Sequence, residues 1–136
     1  WIFGDNVEDF FGKFRFSLIY IVSGVVASLF QYITDPASNI PSIGASGAIS
    51  GILGAYFVLF PKSGVLTSAG YSLITIPSWI VIGFWFAMQL FFGAASLFGN
   101  TGSNIAFFAH IGGFVAGLVL VSVFRRRSQR RTLSYW

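Results

Sequence analysis

The sequence predicts an all-α membrane protein: a bundle of four complete transmembrane spans preceded by the end of another helix. Three observations carry that reading. The 136 residues are 55% hydrophobic, 19% aromatic and only 9% charged, with a mean hydropathy of +0.78, whereas a soluble domain carries about 25% charged residues. Long uncharged stretches alternate with short segments rich in turn formers. When the chain is threaded through a bilayer four times, all eight Lys and Arg residues fall on one side.

The first element is a stub. Trp1-Ile2-Phe3-Gly4 reads as the end of an apolar helix whose beginning is missing, with neither initiator methionine nor signal peptide, so the sequence is taken as a fragment. Asp5, Asn6, Glu8, Asp9, Gly12, Lys13 and Arg15 then form a dense polar cluster that predicts an aqueous loop. Residues 16–33 contain no charge, and 18 helical positions at about 1.5 Å each nearly cross a hydrocarbon core of about 30 Å. They form the first complete span.

The stretch Thr34-Asp35-Pro36-Ala37-Ser38-Asn39-Ile40-Pro41-Ser42 returns the chain through water or headgroups. A second span runs over residues 43–60, opens on Gly44-Ala45-Ser46-Gly47-Ala48-Ile49-Ser50-Gly51 and stops at Pro61-Lys62. A looser polar stretch, 63–72, leads to a long third segment, 73–98, with Pro77 near its start. Gly99-Asn100-Thr101-Gly102-Ser103 makes a turn, and a fourth span covers 104–124. The tail 125–136 holds Arg125, Arg126, Arg127, Arg130 and Arg131. No internal repeat or linker divides the chain, so residues 1–136 form a single membrane domain.

Charge then sets orientation. Lys and Arg favour the cytoplasmic side of short loops, so Lys13, Arg15, Lys62 and the tail lie inside, and the outer loops carry only Asp35. The protein is thus a multi-pass integral membrane protein with a cytoplasmic C-terminus. The net charge of +4 marks a membrane side and not a nucleic-acid partner. With no cysteine and one histidine, neither a disulfide framework nor a metal cage is available, and no cofactor is implied.

That single histidine is the chemical clue. An ionisable side chain inside a span is costly and by default functional. Spans two and four run in the same direction, and helical rise puts Ser46 about 5 Å and His110 about 9 Å below the outer boundary. His110, Gly113 and Gly117 share one helix face, and Gly47, Gly51 and Gly54 form a similar stripe, so the two helices can approach closely. A serine hydroxyl becomes nucleophilic when a base takes its proton, and imidazole is suited to that task near neutral pH. Ser46 would be the nucleophile and His110 the general base, then acid. Gly44 and Gly47 would admit a substrate backbone, and the helix start would offer N–H donors to an oxyanion.

Other polar residues read more simply. Asp35 fits a solvated loop carboxylate better than a third triad member. Ser50, Tyr56 and Gln89 fit packing or interhelical polar contacts. The soluble hydrolase elbow Gly-x-Ser-x-Gly is excluded, because position 48 is alanine and the context is a membrane span.

With Gly44-Ala45-Ser46-Gly47 heading one span and Ala109-His110-Ile111-Gly112-Gly113-Phe114-Val115-Ala116-Gly117 in the last, the chain resembles the rhomboid family of intramembrane serine proteases. Trp1, Phe3, Gly4, Glu8 and Gly12 are similar to the family's pattern at the inner end of its second core helix. The resemblance implies a Ser46–His110 dyad and membrane-anchored protein substrates cut in or near a transmembrane segment, in a plasma or bacterial inner membrane. It also implies six core helices, of which this chain would hold the last four and the tail of the second. The His and Asn that support the oxyanion in the family would lie outside it, so the fragment itself would be poorly active. Where bacterial members often carry a tyrosine that stacks on the histidine, this chain has Ser50, so either another side chain holds His110 or the base is less well oriented. The third segment would be the mobile gate helix, with Phe91 and Phe92 as gate aromatics. The alternative is a catalytically inactive rhomboid-like protein that binds transmembrane segments; a channel or transporter subunit lacks the intramembrane carboxylates expected along a pathway.

Overall fold

The computed structural model describes residues 1–34, 36, 45–98 and 105–133. The elements are α1 (Gly4–Phe11), α2 (Lys13–Thr34), α3 (Ser46–Leu59), β1 (Gly64–Ala69), β2 (Ser72–Pro77), α4 (Ser78–Phe98) and α5 (Phe107–Leu133). The chain is mostly helical, as its composition requires.

The region expected to be an aqueous loop is instead the helix α1. Val7 and Phe11, one turn apart, are buried there while Asp5 and Asp9 face outward. One apolar pair on a charged helix is enough to seat it. Gly12 ends the helix with a φ of 77°, a value that suits glycine, and its N–H donates to the Glu8 carbonyl at 2.6 Å. The chain then turns directly into α2.

Among the described residues, three helices are long and apolar enough to cross a membrane: Lys13–Thr34, Ser78–Phe98 and Phe107–Arg125. The expected count of four full spans is not confirmed, because α3 as described has 14 residues, about 21 Å of rise. Its burial explains how a short helix suffices. Gly47, Ala48, Ser50, Gly51, Ile52, Gly54, Ala55 and Tyr56 are all buried, so protein and not lipid covers most of this central helix. Residues 43 and 44, expected at its start, lie outside the described residues.

Another difference lies between α3 and α4. Residues 63–77, read as a polar stretch and the start of an apolar span, form an antiparallel hairpin in which Val65 pairs with Ile76 and Ala69 with Ser72. Gly70, with φ of 63°, is the first of its two turn residues, the position where a II′ turn calls for glycine. Its attachment is polar: Ser78 Oγ donates to the Phe60 carbonyl at 2.5 Å, Ser78 N–H to Ser63 at 2.8 Å and Trp79 N–H to Pro61 at 3.2 Å. Carbonyls at the end of α3 thus satisfy N–H groups that begin α4.

The core gathers Val7, Phe11, Ile19, Ile52, Ala55, Tyr56, Ile82, Phe114 and Val121. Phe10 meets Phe60 with ring centroids 6.2 Å apart and Phe11 meets Phe124 at 6.1 Å. The start of α2 and the ends of α3 and of the apolar part of α5 therefore share one end of the bundle. Lys13, Arg15, Lys62 and Arg125 follow them there, and α5 continues as a helix to Leu133.

Candidate active site

The opposite end of the bundle carries Ser46 and His110. Glycine decides how their helices meet. A Cβ on Gly113 would collide with the Gly47 carbonyl oxygen, and one on Gly117 with that of Gly51. Both pairs have the same offset, so α3 and α5 run parallel in fixed register with backbone against backbone. Gly51 also faces Ser23 of α2, and Gly54 faces the Phe114 carbonyl. Only glycine lets these main chains approach so closely.

That register sets the depth of the two side chains. Ser46 precedes Gly47 and His110 follows Ala109, so the two residues lie near one level at the N-terminal ends of α3 and α5. A Cβ on Gly47 would come to 3.5 Å from the Ala109 carbonyl oxygen, so the residue after the serine packs against the residue before the histidine.

Ser46 is the first residue of α3 and is exposed. Its Oγ makes no hydrogen bond among the described residues, while its carbonyl accepts the Ser50 hydroxyl at 2.8 Å. Ser50 is thereby turned back on its own helix and does not hold His110. The histidine, half-buried in the first turn of α5, is held from α4: its Nδ1 lies 2.8 Å from Gln89 Oε1, and the Trp85 ring is 6.0 Å away at 42°. Gln31 of α2 supports the neighbouring backbone, accepting the Ala109 N–H at 3.1 Å.

The remaining predicted residues are placed as follows. Gly47, Gly51, Gly113 and Gly117 lie in the α3–α5 contact. Gly44 and Asp35 lie outside the described residues. Phe92 stacks on Phe107 with centroids 5.7 Å apart, and Phe91 is exposed beside it. Tyr56 packs edge-on against Phe3 at 4.9 Å, far from the histidine end. Two open grooves flank α2, one lined by Gly24 and Ala48 and the other by Phe30 and Gly112; neither includes Ser46 or His110. Gln89 makes the interhelical polar contact expected of it, with His110 as the partner; sequence reasoning missed that partner and the parts of Trp85 and Gln31. The available signal was an amide side chain in each of two apolar spans, where an unpaired polar group is costly.

Residues 1–127 match the Rhomboid domain family. The chain belongs to the rhomboid family. It is 37% identical over 119 residues to Rhomboid protease GluP of Bacillus subtilis, covering 86% of this chain and 20% of that protein. It is 29% identical over 133 residues to Putative rhomboid protease YdcA of the same organism, covering 96% of this chain and 59% of that protein. Inactive RHOMBOID-like protein 8 of Arabidopsis thaliana is 31% identical over 113 residues, 83% of this chain and 28% of its own length. The chain thus spans a fifth to about three-fifths of these relatives, and no solved structure matches it. Family and apolar helices together make it part of an integral membrane rhomboid.

Proposed function

We propose that the protein carrying this segment is an intramembrane serine endopeptidase that cleaves transmembrane segments of membrane proteins by a Ser46–His110 dyad. The supporting observation is the contact of Gly47 with Ala109, chain neighbours of the two residues, in a helix pair locked by glycine. His110 Nε2 takes the Ser46 proton as Oγ attacks the scissile carbonyl, and then delivers it to the departing amine. Water repeats the sequence to release the acyl enzyme. The start of α3 directs N–H groups and the positive end of its dipole toward the developing oxyanion. Among the described residues Ser46 Oγ has no hydrogen-bond partner, in keeping with catalytic hydrogen bonds that tighten only around substrate.

A helical substrate hides its carbonyls in its own hydrogen bonds, so the scissile segment must unwind, and weak helix formers such as Gly or Pro near the cut favour cleavage. The clustering of basic residues at the other end of the bundle supports a cytoplasmic C-terminus and a site near the outer face of a plasma or bacterial inner membrane. The test is cleavage of a reporter membrane substrate by the full-length protein. Ser46→Ala and His110→Ala are each expected to abolish it; undiminished cleavage by either removes the dyad.

A second reading, a non-catalytic rhomboid that binds transmembrane segments, is favoured by the lack of a partner for the Ser46 hydroxyl among the described residues and by the relative named inactive. A fluorophosphonate probe separates the two, since a binder is not labelled at Ser46.

A further inference from the structure

We infer that Gln89 is the positioning residue of the dyad: its side-chain oxygen accepts the Nδ1 proton of His110 and so fixes the tautomer that leaves Nε2 free as base. The inference rests on the Ser46–His110 reading and assigns it a third member from the opposite helix. Gln89 is buried at the middle of α4 and projects its Oε1 to 2.8 Å from His110 Nδ1. A neutral imidazole carries one proton, so the nitrogen facing a carbonyl oxygen is the one that bears it. The other nitrogen then holds the lone pair that a serine base needs.

Trp85, one helical turn before Gln89, flanks the same ring. Amide and indole together restrain the imidazole at its edge and beside its plane. This replaces from α4 the support that Ser50 does not give, since the Ser50 hydroxyl is bonded to the Ser46 carbonyl. No carboxylate is needed. In a low-dielectric site a neutral acceptor orients the ring without placing a second charge in the membrane.

The test uses the full-length protein in liposomes with a membrane-anchored reporter. Gln89→Met keeps length and packing but removes the acceptor; Gln89→Glu keeps an oxygen in reach whether or not it is ionised. Gln89→Met is expected to lower kcat by roughly 10- to 100-fold, part of what a general base contributes, with KM nearly unchanged, and Gln89→Glu is expected to recover most of the loss. Nitrogen-15 spectra, assigned by difference against His110→Gln, are expected to show the His110 proton on Nδ1 in the wild type and on both nitrogens in Gln89→Met. Wild-type kcat in Gln89→Met, a Gln89→Glu variant as impaired as Gln89→Met, or a wild-type proton on Nε2 overturns the inference. Failure of the dyad is recognised separately: Ser46→Ala then cleaves as fast as the wild type whatever stands at position 89, and the positioning role falls with it.

Discussion

Where α5 crosses α3, main chain lies on main chain, with Gly113 against the Gly47 carbonyl and Gly117 against that of Gly51. Where α5 meets α4, only side chains touch: Phe86 stacks on Phe114 with centroids 4.3 Å apart, Phe92 on Phe107, and Trp85 and Gln89 reach His110. Burial follows the same division, for 44% of the apolar window of α5 is buried against 17% of that of α4. In lipid, where no hydrophobic force drives helices together, contact depends on packing and polar bonds. A backbone contact has no rotamer to change. A side-chain contact can break and re-form, so the two halves of the proposed dyad sit on a backbone-packed pair while the support of His110 comes from side chains of α4.

Substitutions at the two contacts test this contrast. Gly117→Val would drive a branched side chain into the Gly51 carbonyl, and neither backbone can yield. A loss of about 3 kcal/mol or more is expected, read as a large drop in thermal denaturation temperature in detergent together with loss of cleavage. Phe86→Ala removes the closest stacked ring on the α4 side, and a smaller loss of about 1–2 kcal/mol is expected by the same measurement. Gly93→Ala should do least. Its Cβ would meet Ile111 at 3.4 Å and Phe107 at 3.5 Å, ordinary contacts, and the gain in helix propensity of about 0.5–1 kcal/mol offsets any crowding. Equal losses at Gly93 and Gly117 would erase the distinction between the two contacts.

The sequence made some of this legible and concealed the rest for physical reasons. The uncharged stretches that became α2, α4 and most of α5 announce themselves by length, and the serine and histidine by their isolation in apolar surroundings. The hairpin was hidden because residues 63–77 carry no charge, so Leu73, Ile74 and Ile76 merged with the apolar segment after them, although the β-branched run Ile74-Thr75-Ile76 is a strand signal. In α1, the acidic residues outweighed the single buried pair of Val7 and Phe11. Gln89 was visible as a polar residue in a span, but which side of α4 it occupies depends on how that helix rotates against α5, and no local pattern specifies that. Ser50 showed that the histidine needed other support without saying where it would come from.

The polar staple between Phe60 and Ser78 has a mechanical consequence. It fixes the base of α4 by hydrogen bonds, while Gln89, eleven residues further along, stands about 16 Å up the helix. The helix is then a lever with its fulcrum at the Phe60–Ser78 contact, and a tilt of about 5° would displace Gln89 by about 1.4 Å. That displacement exceeds what a 2.8 Å hydrogen bond tolerates before it is lost. In this geometry any such tilt of α4 about its base would release the imidazole.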